Sequence, residues 1–166
     1  MSGLAAVEED HHLLLQLRWR LESGADRRIR GVLVATLARH LSAARQYLYP
    51  AARRLLPDGP AAVDRLAACD VALLHSGGLE VAEHLRLCGA LLAQLRASRP
   101  ADELVRLDNR MRIAREAAPS RPHPGLPRTP PLNKIMDPVV GVVDKVRDAV
   151  TGRTTWPEDL WPARNV

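Results

Sequence analysis

A long run of helical periodicity in this chain has a histidine inside it. Ile29, Leu33, Thr36, His40, Ala44, Tyr47, Ala51 and Leu55 recur at spacings of three and four, which puts them on one face of an α-helix. Arg39, Arg45, Arg53 and Arg54 fall on other parts of the wheel. His40 therefore points where the core should be. A buried imidazole needs a partner, which is a backbone carbonyl, a neighbouring side chain or a ligand. The choice depends on whether other helices also aim polar groups inward.

Composition favours helices packed on helices. Apolar residues make up 46% of the 166 positions, enough for a core, yet aromatics are 3% and Phe is absent. A core of Leu, Val and Ala suits a helical bundle better than a sandwich. The net charge of +5 is carried almost entirely by arginine, since Lys134 and Lys145 are the only lysines. With no dense basic run and no aromatics interleaved with the arginines, a nucleic-acid module is not expected. Cys69 and Cys88 do not make a disulfide framework. Met1–Asp10 carries three acids and no apolar stretch, so no signal peptide is expected. Runs such as 31–37 are too short to span a bilayer. The expectation is a cytoplasmic protein with no membrane partner.

The chain divides at turn signals. A first helix is expected from Leu4 to Ser23, stopped by Gly24, with Leu4, Val7, His11, Leu14, Leu15, Arg18 and Leu21 inward. Asp26 is the expected N-cap of the second helix. Arg27, Arg28 and Arg30 follow it, as either a solvated rim or a contact for an acidic partner. Pro50 should kink or divide that helix before the turn Pro57-Asp58-Gly59-Pro60. A third helix, Ala61 to His75, carries Asp70 in its apolar stripe. A fourth, Leu79 to Ser98, carries His84 and Cys88 at i, i+4, so both reach one point. Pro100 to Ala118 is either a fifth helix or a continuation beyond a kink. Residues 119–136 form a Pro-rich extended linker. Residues 137–153 follow as an amphipathic helix with Val139, Val142, Val143, Val146 and Val150 on one face, and 154–166 as a tail. Residues 4–118 are the expected bundle.

Successive helices thus place His11, His40, Asp70, and His84 with Cys88 inward. Short loops make neighbours antiparallel, and inward residues near mid-helix then meet in one layer. Imidazole, carboxylate and thiolate are metal ligands. Each position also has a purely structural use: a boundary histidine, an aspartate paired with an arginine, a cysteine as a small apolar filler.

Several motifs together resemble hemerythrin-like HHE cation-binding proteins, of the actinobacterial type with a Pro-rich C-terminal tail. They are Asp10-His11, His40 followed by Gln46-Tyr47-Leu48-Tyr49-Pro50, and the turn Leu56-Pro57-Asp58-Gly59. The tail adds 118–124, Pro131-Leu132-Asn133-Lys134 and the helix ending at 148–153. The resemblance implies an all-α, up-down-up-down four-helix bundle and, in intact members, a non-haem diiron centre. This sequence departs from that ligand pattern. Ala44 stands where the family has a glutamate four residues after the histidine, and Asp70 where the third helix offers a histidine. In the fourth helix, Leu87 and Cys88 follow His84 where a carboxylate is usual. The expectation is a degraded site holding at most one metal ion (iron, zinc or manganese) on His11, His40, His84 and either Asp70 or Cys88, with no diiron pair. The corresponding function is non-catalytic: a metal- or dioxygen-responsive binding or sensing bundle. The alternative is a metal-free interaction bundle acting on a protein partner.

Overall fold

A computed structural model describes residues 3–24, 26–120, 144, 147–148 and 151–161. Among them the regular structure is entirely helical. The helices are α1 (Ala5–Ser23), α2 (Arg27–Ala43), α3 (Tyr49–Leu55), α4 (Gly59–His75), α5 (Val81–Ser98) and α6 (Ala101–Ala117). A π-helical segment, Ala44–Leu48, joins α2 to α3, and a single 3-10 turn covers Pro157–Asp159.

Local chemistry accounts for these boundaries. Asp26 caps α2, its carboxylate accepting the Arg28 backbone N–H at 2.7 Å. Pro50 lacks the N–H that would continue the helical ladder, and its ring crowds the preceding turn. The expected kink takes the form of the π segment, in which the Tyr49 N–H reaches back to the Ala44 carbonyl. Gly59 opens α4 close against the end of α3. A Cβ there would stand 2.0 Å from the Ala52 carbonyl oxygen. Arg99 is extended and Pro100 caps α6, so 101–117 is a separate helix. α1 begins without a side-chain cap of its own at Leu4, where φ is 74°. Asp108 of α6 supplies one instead, accepting the Ala6 N–H at 2.8 Å.

α1 packs along α2, α4 along α5, and α3 against α4, while α6 lies on α2 and the π segment. The apolar residues form two clusters. One gathers Leu4, Val7, Ala44, Leu48, Leu66, Cys88, Leu91 and Leu95. The other gathers Leu14, Leu17, Leu33, Leu37, Leu41, Leu73 and Val81. In α1, α4 and α5 the residues between the two sets are Asp10–His11, Asp70 and His84, and in α2 His40 stands at the same boundary. A polar layer thus separates two apolar cores.

Some expectations need correction. Leu15 is exposed and Arg18 half-exposed, whereas Asp10 and Leu17 are buried, so the inward face of α1 is rotated from the expected one. Arg39, expected off the core face, is 4% exposed. The reason is residues 153–161, which cross α1 and α2. Arg39 donates to the Thr155 carbonyl at 2.8 Å and lies 4.1 Å from the centroid of the Trp156 ring. Arg28 donates to the Asp159 carbonyl at 2.8 Å, and Arg20 sits over Trp161. Arg28 of the basic rim therefore holds this chain's own tail. The Pro-rich linker beyond Ser120 and the valine stripe of the expected 137–153 helix lie outside the described residues. Asp144, Arg147, Asp148 and Thr151 of that stretch are helical, and the Ser120 hydroxyl donates to Asp148.

Candidate metal centre

α1, α2 and α5 deliver three imidazoles to one point. The ring centroids of His11, His40 and His84 lie 5.1, 5.2 and 5.8 Å apart, each ring inclined steeply to the others. One ligand atom from each of these histidines, with the Cys88 Sγ, makes a group of four lying within 4.8 Å of one another. His40, His84 and Cys88 are fully buried. The i, i+4 spacing in α5 is what brings His84 and Cys88 to the same place.

Asp70 is not in that group. It stands behind His84, its Oδ1 at 2.9 Å from His84 Nδ1. Its other oxygen accepts the Tyr49 hydroxyl at 3.0 Å and Arg45 at 3.4 Å. Asp10 plays the same part for His40, with Oδ2 at 3.3 Å from Nδ1, and Arg115 of α6 donates to its other oxygen at 2.6 Å. Each carboxylate thus orients one imidazole and is itself held by an arginine. A carboxylate on Nδ1 fixes the tautomer and turns the Nε2 lone pair outward, the usual arrangement behind a metal-ligating histidine. Asp10, Tyr49, Arg45 and Arg115 were not among the expected site residues. The Asp10-His11-His12 triplet held a signal for Asp10, but the pairing of Asp10 with His40 joins two helices.

The paired imidazoles are one proton short. His40 Nε2 and His84 Nε2 face each other at 3.0 Å. That contact and the two carboxylate contacts together need three protons, and two neutral imidazoles carry two. One contact therefore sets two lone pairs against each other unless a third proton or a cation intervenes. Among the described residues His11 Nε2 is buried with no hydrogen-bond partner, which costs free energy unless something binds it. Burial, helped by the neighbouring imidazoles, pushes the His11 pKa down to about 2. Burial also lowers that of His84, against the pull of Asp70. Protonating His11 or His84 is therefore a poor remedy, and a cation is a better one. Burial pushes the Cys88 thiol up to about 12, with Asp70 adding to the shift. A bound cation is what would make a thiolate of it.

A tetrahedral ion with nitrogens about 2.1 Å and a sulfur about 2.3 Å away holds its ligand atoms roughly 3.4 to 3.6 Å apart. The His40 and His84 Nε2 atoms, at 3.0 Å, already stand that close, and the four-atom group, within 4.8 Å, would draw in around one ion. The residues do not fit a diiron pair. Ala44 offers no ligand, and both nearby carboxylates, Asp10 and Asp70, bond histidines and arginines.

Comparison with models of known protein families, with curated proteins and with solved structures finds no match for this chain.

Proposed function

We propose that this chain is a hemerythrin-like, up-down-up-down four-helix bundle that binds one divalent transition-metal ion on His11, His40, His84 and Cys88. The observation that carries the reading is the convergence of three imidazoles and a thiol in which one Nε2 is orphaned and two oppose each other. Short connections and the packing of α1 on α2 and α4 on α5 support the bundle topology. The motifs shared with the HHE proteins support the family. Asp10 and Asp70 are the outer sphere that orients His40 and His84, and Arg115 and Arg45 keep those carboxylates in place. With one thiolate and three imidazoles, the ligand set suits zinc or ferrous iron better than manganese, which prefers oxygen. Four protein ligands complete a tetrahedral sphere, as in sites that bind or stabilise rather than catalyse. No helix among the described residues is long and apolar enough to cross a membrane.

Titration with cobalt(II), a spectroscopic stand-in for zinc, tests the reading. One equivalent should bind and give thiolate-to-cobalt absorption in the near ultraviolet. Cys88→Ala should lose that band, and His40→Leu should lose binding. Absence of any stoichiometric binding by cobalt, zinc or iron would return the metal-free interaction bundle as the better reading. Two tightly bound irons would overturn the mononuclear site.

A further inference from the structure

Gln46-Tyr47 and Pro50, part of the motif run in the second helical stretch, line a surface cleft remote in chemistry from the histidine cluster. The cleft encloses about 460 Å3 between the π segment, α3 and the first half of α6. Its floor is apolar: Leu104 and Leu107 are buried, and Ala51 and Leu55 are half-buried. Its rim is cationic. Arg106 is paired with Asp102, and the one lining acid, Glu103, is held by Arg99 at 2.7 Å. Arg54 and Arg110, both exposed, have neither an ion pair nor a hydrogen bond from their side chains among the described residues. Tyr47 belongs to the π segment that precedes Pro50, and such segments often border binding sites.

We propose that this cleft binds a small amphipathic carboxylate, with its head between Arg54 and Arg110 and its apolar chain over Leu55, Leu104 and Leu107. The volume falls within the range of small-molecule pockets, about 300 to 1,000 Å3, and exceeds what a medium-length fatty acid fills. An apolar floor with a few convergent charged groups is the pattern of such pockets. Guanidinium forks match a carboxylate in geometry and charge. A cationic rim beside a neutralised acid disfavours cations and gives a neutral chain only the floor. The cleft shares no residue with the His11, His40, His84 and Cys88 group, so the proposal stands apart from metal binding.

Calorimetric titration of the full chain with decanoate, below its micellar concentration and at low salt, tests it. One saturable site is expected. Arg54→Gln with Arg110→Gln should weaken binding about tenfold or more at unchanged helicity. Decanol, which keeps the chain and lacks the charge, should bind at least about tenfold more weakly than decanoate. Leu107→Trp, which fills the floor, should abolish binding, and His40→Leu should leave it intact. No saturable binding, as when a segment of this chain already fills the cleft, would overturn the proposal. So would equal affinity for decanol, or an undiminished affinity in the double arginine variant.

Discussion

At the scale of single residues, the consequences centre on His40 and on the groups behind the imidazoles. In the metal-free chain His40→Leu removes one of the two opposed Nε2 lone pairs, while Asp10 keeps Arg115. Its melting temperature should match or exceed that of the parent, and its cobalt binding should be lost. A collapse of the circular dichroism spectrum would show that His40 holds the fold instead. Asp70 acts one shell further out. Asp70→Ala should weaken metal binding about 10- to 100-fold without abolishing it, because His84 keeps its place and loses only its orientation. Competition with a chelating dye measures this, and an unchanged affinity would sink the outer-sphere role. Tyr49 donates to Asp70 and is buried. Burial first, then Asp70, raise its pKa well above 10. Because the folded state keeps this proton while the unfolded chain loses it, stability is present below pH 10 and falls as pH rises beyond it. Ultraviolet titration should show Tyr49 resisting ionisation until the chain unfolds. Tyr49→Phe should remove that component.

At the scale of elements, α6 is more than a fifth helix appended to the others. It caps α1 through Asp108, and it reaches Asp10, behind His40, through Arg115. Arg112 ties Asp108 and Glu9 together between them. Asp108 is buried, and removing it leaves an α1 backbone N–H without an acceptor. Asp108→Ala should cost about 1 to 2 kcal/mol in urea denaturation. A change within a few tenths would mean that water replaces the cap. The π segment shows how an element boundary is set by a missing donor. Pro50 was legible as an interruption, but its form was not. A proline can kink, break or widen a helix, and the packing of Tyr49 and Leu48 in the core decides among these.

At the scale of the whole molecule, the C-terminal strap over 153–161 closes the surface of α1 and α2. Arg39, Arg28 and Arg20 hold it through backbone carbonyls and tryptophan rings. Leu160 and Trp161 pack against the second apolar cluster. Gly31 lies directly beneath it, where a Cβ would come within 2.8 Å of the Thr154 carbonyl oxygen. Deleting residues 154–166 should lower the melting temperature by several degrees, since it uncovers apolar surface and strips a buried guanidinium of its acceptor. An unchanged melting temperature would mean that the strap adds nothing to the fold.

The helices, and the inward turn of His40, Asp70, His84 and Cys88, are legible along the chain. Periodicity, caps and turn residues are local, and each is written within a few positions along the chain. His40, His84 and Cys88 stood out because a polar or sulfur-bearing side chain on an apolar stripe is visible without knowing what it meets. The inward face of α1 was misjudged because Asp10 and His11 are adjacent. One sits under Arg115 and the other against two imidazoles, a distinction that needs the neighbouring helices. Asp70 was recognised as buried yet not as the partner of His84, because a carboxylate serves equally as ligand or as outer-sphere acceptor, and only the three-dimensional placement of His84 selects between them. Arg39 was placed outside because nothing in its own helix reveals a strap arriving from more than a hundred residues away. Tertiary structure decided these matters, since the partners of a buried charge are long-range contacts that local pattern does not encode.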